Sequence, residues 1–246
     1  MIVINSIVDI HCHTLCGVDD GAANEREMHE MLRMAYEDGI RKICFTPHFD
    51  PKTESGESNN ATPASFSLAE EYCRAHLPDM QLLLGNELSY RVGCVESLVR
   101  GDCRTLAGGR YVLVDFLMVR DLSEIQRGIS AIANSGYIPI VAHVERYECL
   151  KGKHREIARF GEEGALIQIN VESLRYGPLS STGRLVRRLL SDRIVDLVAS
   201  DAHNLTTRPP RLAEAYKHIC AKYGRDYGDY LFSVNPERVL SNMRIK

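Results

Sequence analysis

The chain has 246 residues, 44% hydrophobic and 26% charged, which are the proportions of an ordinary globular protein whose core needs no disulfides. A formal net charge of −3 and the lack of any basic, aromatic-interleaved stripe argue against a nucleic-acid partner. No apolar run approaches a membrane span, and the start MIVINSIVDIHCH does not look like a signal peptide, so the eight cysteines are expected as reduced, mostly buried thiols of a cytoplasmic protein.

Short apolar runs alternate with helical patterns along the whole chain. The first run is IVDIH (7–11), apolar over most of its length as strands buried on both faces are. Asn24 and Glu27 then make a capping-box-like start, Met28, Met31, Leu32 and Ala35 recur at helical spacing, and Gly39 ends the helix. KICFT (42–46) is the second run. After it comes the polar stretch DPKTESGESNNATPAS (50–65), which is either an active-site loop or a plain solvated excursion. A helix over 65–76 leads to QLLLG (81–85) and YVLVDF (111–116). The remaining strands are IPIVAH (138–143), LIQIN (166–170) and VDLVAS (195–200), with helices predicted over 123–135, 153–163, 182–192 and 211–223. Seven strands in alternation with helices, with no linker and no internal repeat, predict one domain over 1–246, built as a closed or nearly closed parallel barrel.

The C-terminal ends of these runs share one chemistry. His11 and His13 close the first, His48 follows the second, Glu87 follows the third and Asp115 ends the fourth. His143 and Asn170 end the fifth and sixth, while Asp201 and His203 follow the seventh. In a parallel barrel all these ends meet on the face where such folds do their chemistry. A lone histidine there is ordinarily a satisfied hydrogen-bonding residue and a lone aspartate a helix cap. Assembled together they would bury much like charge, which is costly without cations. His11 and His13 project to one side of an extended chain and can reach one ion, and Asp201 with His203 repeats the spacing. Asp19 and Asp20 are adjacent and should diverge, leaving one of them as a ligand. Asp9 stands where it could fix a ligand imidazole's tautomer.

The blocks DIHCHTLCGVDDGA, FTPHF, GNELSY, VLVDF, VAHVERY and ASDAHNLTTRPP, in order over about residues 8–215, resemble the PHP-superfamily protein-tyrosine phosphatases of bacterial capsule and exopolysaccharide gene clusters. The resemblance implies a distorted (β/α)7 TIM-like barrel, the PHP fold, with three divalent metal ions, Mn2+ first and Fe or Zn2+ as other candidates. It assigns the ligands to His11, His13, Asp20, His48, Glu87, Asp115, His143, Asp201 and His203, with Glu87 bridging two ions. Arg146 and Arg208 match arginines used near the phosphate. Asp115 stands where the family usually carries Glu, one methylene longer, which bears on the occupancy of one ion.

The implied reaction is hydrolysis of phosphotyrosine on the tail of an autophosphorylated bacterial tyrosine kinase that controls polysaccharide export. Two other readings keep part of this: a phosphatase of small esters such as histidinol phosphate, and a non-catalytic kinase-binding regulator. A cysteine mechanism has two C-x5-R matches, Cys94 to Arg100 and Cys149 to Arg155, but VESLV has no glycine and LKGKH a single one to shape a phosphate loop. Oligomeric state is not legible in the sequence.

Overall fold

The computed structural model describes residues 6–52 and 61–245. Its strands are β1 (Ile7–Cys12), β2 (Ile40–Phe45), β3 (His48–Phe49), β4 (Gln81–Leu84), β5 (Glu87–Ser89), β6 (Tyr111–Asp115), β7 (Ile138–Val141), β8 (Leu166–Asn170) and β9 (Leu197–Ala199). Every pairing is parallel. The order is β1-β2-β4 in one sheet and β3-β5-β6-β7-β8-β9 in the other.

The two sheets are one wall with a local break. β2 and β3 are halves of one strand, parted at Thr46-Pro47, where proline has no N–H to give a ladder. β4 and β5 are parted at Gly85-Asn86. Gly85 N donates to Phe45 O (2.8 Å) and Glu87 N to Pro47 O (3.1 Å), so pairing continues across the gap. Counted as continuous strands, the nine pieces are the seven expected. The wall returns on itself at its C-terminal mouth, where Asp201 N donates to His11 O (2.8 Å) and His13 N to Ala202 O (2.8 Å). The fold is an α/β barrel of curled parallel sheet, as expected.

Side-chain alternation sets the interior. Val8, Ile10, Cys44, Leu113, Ile140, Leu166, Leu197 and Ala199 fill it with apolar bulk, and Val239 and Leu240 of the last helix pack against them. Along β8 and β6 the same inward series then turns polar, from Leu166 to Gln168 and Asn170, and from Leu113 to Asp115. The larger buried set, including Met28, Leu32, Val114, Ile129 and Leu189, joins the helices to the outer face of the sheet.

The helices are α1 (Glu25–Glu37), α2 (Ala61–His76), α3 (Cys94–Arg100), α4 (Leu122–Asn134), α5 (His154–Glu162), α6 (Ser181–Ser191), α7 (Ala213–Tyr223), α8 (Arg225–Asp229) and α9 (Asn235–Leu240). The predicted cap of α1 is present: Asn24 Oδ1 accepts from Glu27 N (3.0 Å), while Glu27 Oε2 accepts from Ala23 N (3.0 Å). α2 starts at Ala61 rather than at 65, because Pro63 falls in the first turn, where its missing N–H costs nothing. Residues 53–60 of the predicted 50–65 loop lie outside the described residues. The short α3, α8 and α9, and a π turn over Tyr230–Val234, are too brief for helical periodicity to announce. All eight cysteines are free thiols. No helix among the described residues is long and apolar enough to cross a membrane.

Candidate metal centre

β1 delivers His11 and His13 into the mouth through a register shift between Asp9 and Cys12. The predicted second-layer role of Asp9 is not what it does. Asp9 Oδ1 accepts from Ser200 N (3.1 Å) and His11 N (3.4 Å), and Oδ2 from Ser200 Oγ (2.5 Å), so it pins β1 to the end of β9. The tautomer of His11 is instead set by Gln168, whose Oε1 lies 3.2 Å from His11 Nδ1. That atom is the amide oxygen because it also accepts from His143 N (2.9 Å), and the amide nitrogen donates to Asn170 Oδ1 (2.8 Å). Asp19 does the same for His13, with Oδ2 2.7 Å from Nδ1.

Both Nδ1 atoms therefore carry hydrogen, which leaves each Nε2 to hold either a proton or a cation. Those two nitrogens face each other at 3.3 Å. Asp201 Oδ1 lies 3.3 Å from the first and 3.5 Å from the second, buried and without a hydrogen-bond partner. Two lone pairs and an unpaired carboxylate oxygen at these separations repel unless positive charge stands among them. A divalent cation fits that demand.

Glu87, nearly fully buried at the start of β5, is the hub. Its oxygens lie 3.4 Å from His11 Nε2, 3.5 Å from His13 Nε2, 2.8 Å from His48 Nδ1 and 2.7 Å from His143 Nε2. Without a cation, protons take up the charge. Burial presses the His11 imidazolium down, but Glu87 and then Asp201 outweigh it and raise its pKa to about 9. Burial also opposes the charged form of His48, whose bond to Glu87 carries it up to about 9. Burial would lift Glu87, yet His11 and the other imidazoles hold it well below the usual carboxylate range. Burial and the neighbouring His13 charge lower His203 to about 4, which leaves it neutral and free to ligate.

Three sets of donor atoms have all members within 4.8 Å of one another: His13, Asp20, His48 and His203; His11, Glu87 and His143; and His11, His13 and Asp201. Asp20, more exposed than Asp19, reaches His48 Nε2 (3.1 Å) and His203 Nε2 (3.3 Å), so the adjacent aspartates diverge as expected. Asp115 stands apart from these sets. Its Oδ1 is 3.9 Å from His143 Nδ1 and already accepts from Leu117 N (2.6 Å). Arg146 and Arg208, expected near a phosphate, both reach Asp201 Oδ2, at 3.1 and 2.5 Å, and Asn170 Nδ2 shares that oxygen at 2.6 Å.

Local backbone serves these positions. His143 (φ 31°) and Asp201 (φ 50°) lie in the left-handed region, at a cost of about 1–3 kcal/mol each, as strained residues at functional sites do. The glycine of the Asp-Asp-Gly motif allows a close approach, since a Cβ on Gly21 would fall 1.7 Å from His13 O. Gln168 was the residue missed; a polar inward position inside LIQIN was its signal. The cysteine alternative finds no support, since burial raises the thiol pKa of both Cys94 and Cys149.

Known proteins resemble the chain over nearly its whole length. It is 31% identical over 241 residues to the tyrosine-protein phosphatase CpsB of Streptococcus agalactiae, covering 96% of this chain and 99% of that one. The tyrosine-protein phosphatase YwqE of Bacillus subtilis is 29% identical, covering 97% and 93%. Crystal structures of YwqE and of CpsB from Streptococcus pneumoniae, described as metal-dependent tyrosine phosphatases, provide a match with TM-score 0.86 at 28% identity, covering 98% of this chain and 96% of that one. The phosphotriesterase homology protein of Escherichia coli, 9% identical with TM-score 0.58 over 95% of this chain and 98% of its own, shares the fold alone. Residues 7–241 match the CpsB/CapC family of capsular polysaccharide synthesis, and the chain belongs to that family.

Proposed function

We propose that the chain is a metal-dependent protein-tyrosine phosphatase of capsule or exopolysaccharide synthesis, a single cytoplasmic domain over residues 1–246. The observation that carries the metal requirement is the pair of Nε2 atoms facing each other at 3.3 Å beside an unpartnered Asp201 oxygen, a cluster that only positive charge can hold together. The reaction is supported by near full-length relatives that are tyrosine-protein phosphatases.

One division of the donors among three divalent ions uses each imidazole once. His11, His13 and Asp201 serve the first; Asp20, His48 and His203 the second; His143 and Asp115 the third, with Glu87 within reach of all three groups. Manganese is the first candidate for the mixed imidazole and carboxylate donors, with iron and zinc behind it. When bound, such ions lower the pKa of water and neutralise phosphoryl oxygens. Arg146 and Arg208 offer permanently charged, planar forks to the phosphate, and Asp201 Oδ2 holds both at the edge of the centre. Asn170 fixes that carboxylate, while Asp19 fixes the His13 imidazole and Gln168 that of His11.

The substrate in this reading is phosphotyrosine on the tail of an autophosphorylated bacterial tyrosine kinase. Turnover of a phosphotyrosyl peptide and of histidinol phosphate, each before and after chelation, tests it. Peptide hydrolysis that disappears on chelation and returns with Mn2+ is expected. A metal-loaded protein that cleaves histidinol phosphate and spares the peptide belongs to the small-ester reading instead.

A further inference from the structure

Two neighbouring loops at the mouth carry apolar side chains where turn chemistry favours polar ones. β5 and β6 pair at Ser89 and Asp115, and each chain then turns sharply. Cys94 N donates to Arg91 O (3.1 Å), and Val119 N donates to Phe116 O (2.8 Å). Corners of such turns are usually Gly, Pro, Asn, Asp or Ser. Here they are Val92-Gly93 and Leu117-Met118. Gly93, at φ 93°, answers a backbone need; the three apolar residues answer none. Val92 is 91% exposed, Met118 62% and Leu117 38%.

The base beneath these corners is fixed. Tyr90 N donates to Asp115 O (2.8 Å), and the Tyr90 and Phe116 rings pack with centroids 4.7 Å apart. Gly128 of α4 lies against both rings, and a Cβ there would come within 2.6 Å of each. Arg91 Nε is tied to Asp50 Oδ2 at 2.6 Å. Solvent-facing apolar groups on a rigid support mark an interaction surface, because little order remains to be imposed on binding. Arg146 and Arg208 follow other strands of the same wall, so the mouth has a cationic part and an apolar part.

We propose that this paired-turn lip receives a hydrophobic side chain of the phosphoprotein segment, next to its phosphotyrosine. The proposal rests on the phosphatase reading above. Leu117 N is hydrogen-bonded to Asp115 Oδ1, so the lip adjoins a candidate ligand at the edge of the metal centre. A chain with an anionic phosphate and an apolar neighbour matches both parts of the mouth together.

The experiment compares two phosphotyrosyl peptides, identical except for leucine or serine beside the phosphotyrosine, with Mn2+-loaded full-length protein. The leucine peptide should have a kcat/KM about tenfold higher, expressed in KM, as burial of one aliphatic side chain allows. V92S and M118S should bring the two peptides together, and M118L should keep them apart. Equal wild-type values, or a preference that survives in both V92S and M118S, overturns the proposal. So does sedimentation showing a dimer that M118S dissociates, since the lip would then be covered by a second copy. Hydrolysis of p-nitrophenyl phosphate with neither peptide cleaved would instead defeat the protein-phosphatase reading itself.

Discussion

His11 Nδ1 and Gln168 Oε1 stand 157 residues apart in the chain and 3.2 Å apart in space. The same oxygen accepts from the backbone of His143, so one amide on β8 orients candidate ligands from two other strands. Removing it frees the His11 ring to rotate and to exchange tautomers. Gln168→Ala is expected to weaken Mn2+ binding by roughly 10–100-fold. Titration calorimetry on chelated, refilled protein checks this, with circular dichroism to confirm folding. Unchanged affinity would show that the amide is a packing residue only.

Arg208 meets Asp201 Oδ2 at 2.5 Å and is proposed to face the phosphate as well. Lysine keeps the charge but loses the planar fork. Arg208→Lys should lower kcat/KM for a phosphotyrosyl peptide by about 10²-fold, the scale of one lost donor to developing charge. Metal content measured alongside separates this from loss of the ion beside Asp201. A variant with full metal and full activity removes Arg208 from the phosphate site.

Asp115 is the least committed of the candidate ligands, 3.9 Å from His143 Nδ1 and occupied by Leu117 N. Asp115→Ala should lose one metal equivalent by elemental analysis and retain the others, and His11→Ala should lose the equivalent it shares with His13 and Asp201. Chelation should abolish activity in the wild type, and thiol alkylation should spare it. The reverse pattern would return the reaction to a cysteine.

The metal-free centre stores protons. His11 and His48 are each raised from 6.5 to about 9, so both are protonated at neutral pH and each must give up its proton to ligate. Apparent Mn2+ affinity should therefore climb between pH 7 and 9, by about tenfold per unit for each proton displaced, and flatten above 9. Calorimetry in two buffers of different ionisation enthalpy counts those protons. Affinity that is level across this window contradicts the assignment.

Much of this molecule could be read before its shape was known. The apolar runs mark both-face-buried strands, and the polar residues at their ends converge as a parallel barrel requires. Two features were hidden for physical reasons. Pro47 and the Gly85-Asn86 pair split two strands, which no periodicity signals, since the halves remain aligned in space. Gln168 takes the role expected of Asp9, which instead binds Ser200; β1 is paired with β2 through register shifts, and such shifts depend on the neighbouring strand rather than on the periodicity of β1 itself. Asp19 and Asp20 were separable in principle, as adjacent side chains diverge, but which one faced the centre depended on Gly21 folding against His13.

β1 and β9 share no ladder; Cys12 and Ala202 form a single isolated bridge between them. The bonds that join this seam involve the backbones of His11, His13 and Asp201, the same residues whose side chains are proposed to hold one ion. An ion there would act as a rivet across a join that has no strand ladder, tying catalysis to mechanical integrity. Amide hydrogen exchange should speed up first along residues 9–13 and 199–203 when the protein is stripped of metal, ahead of the β6–β7 region on the far side.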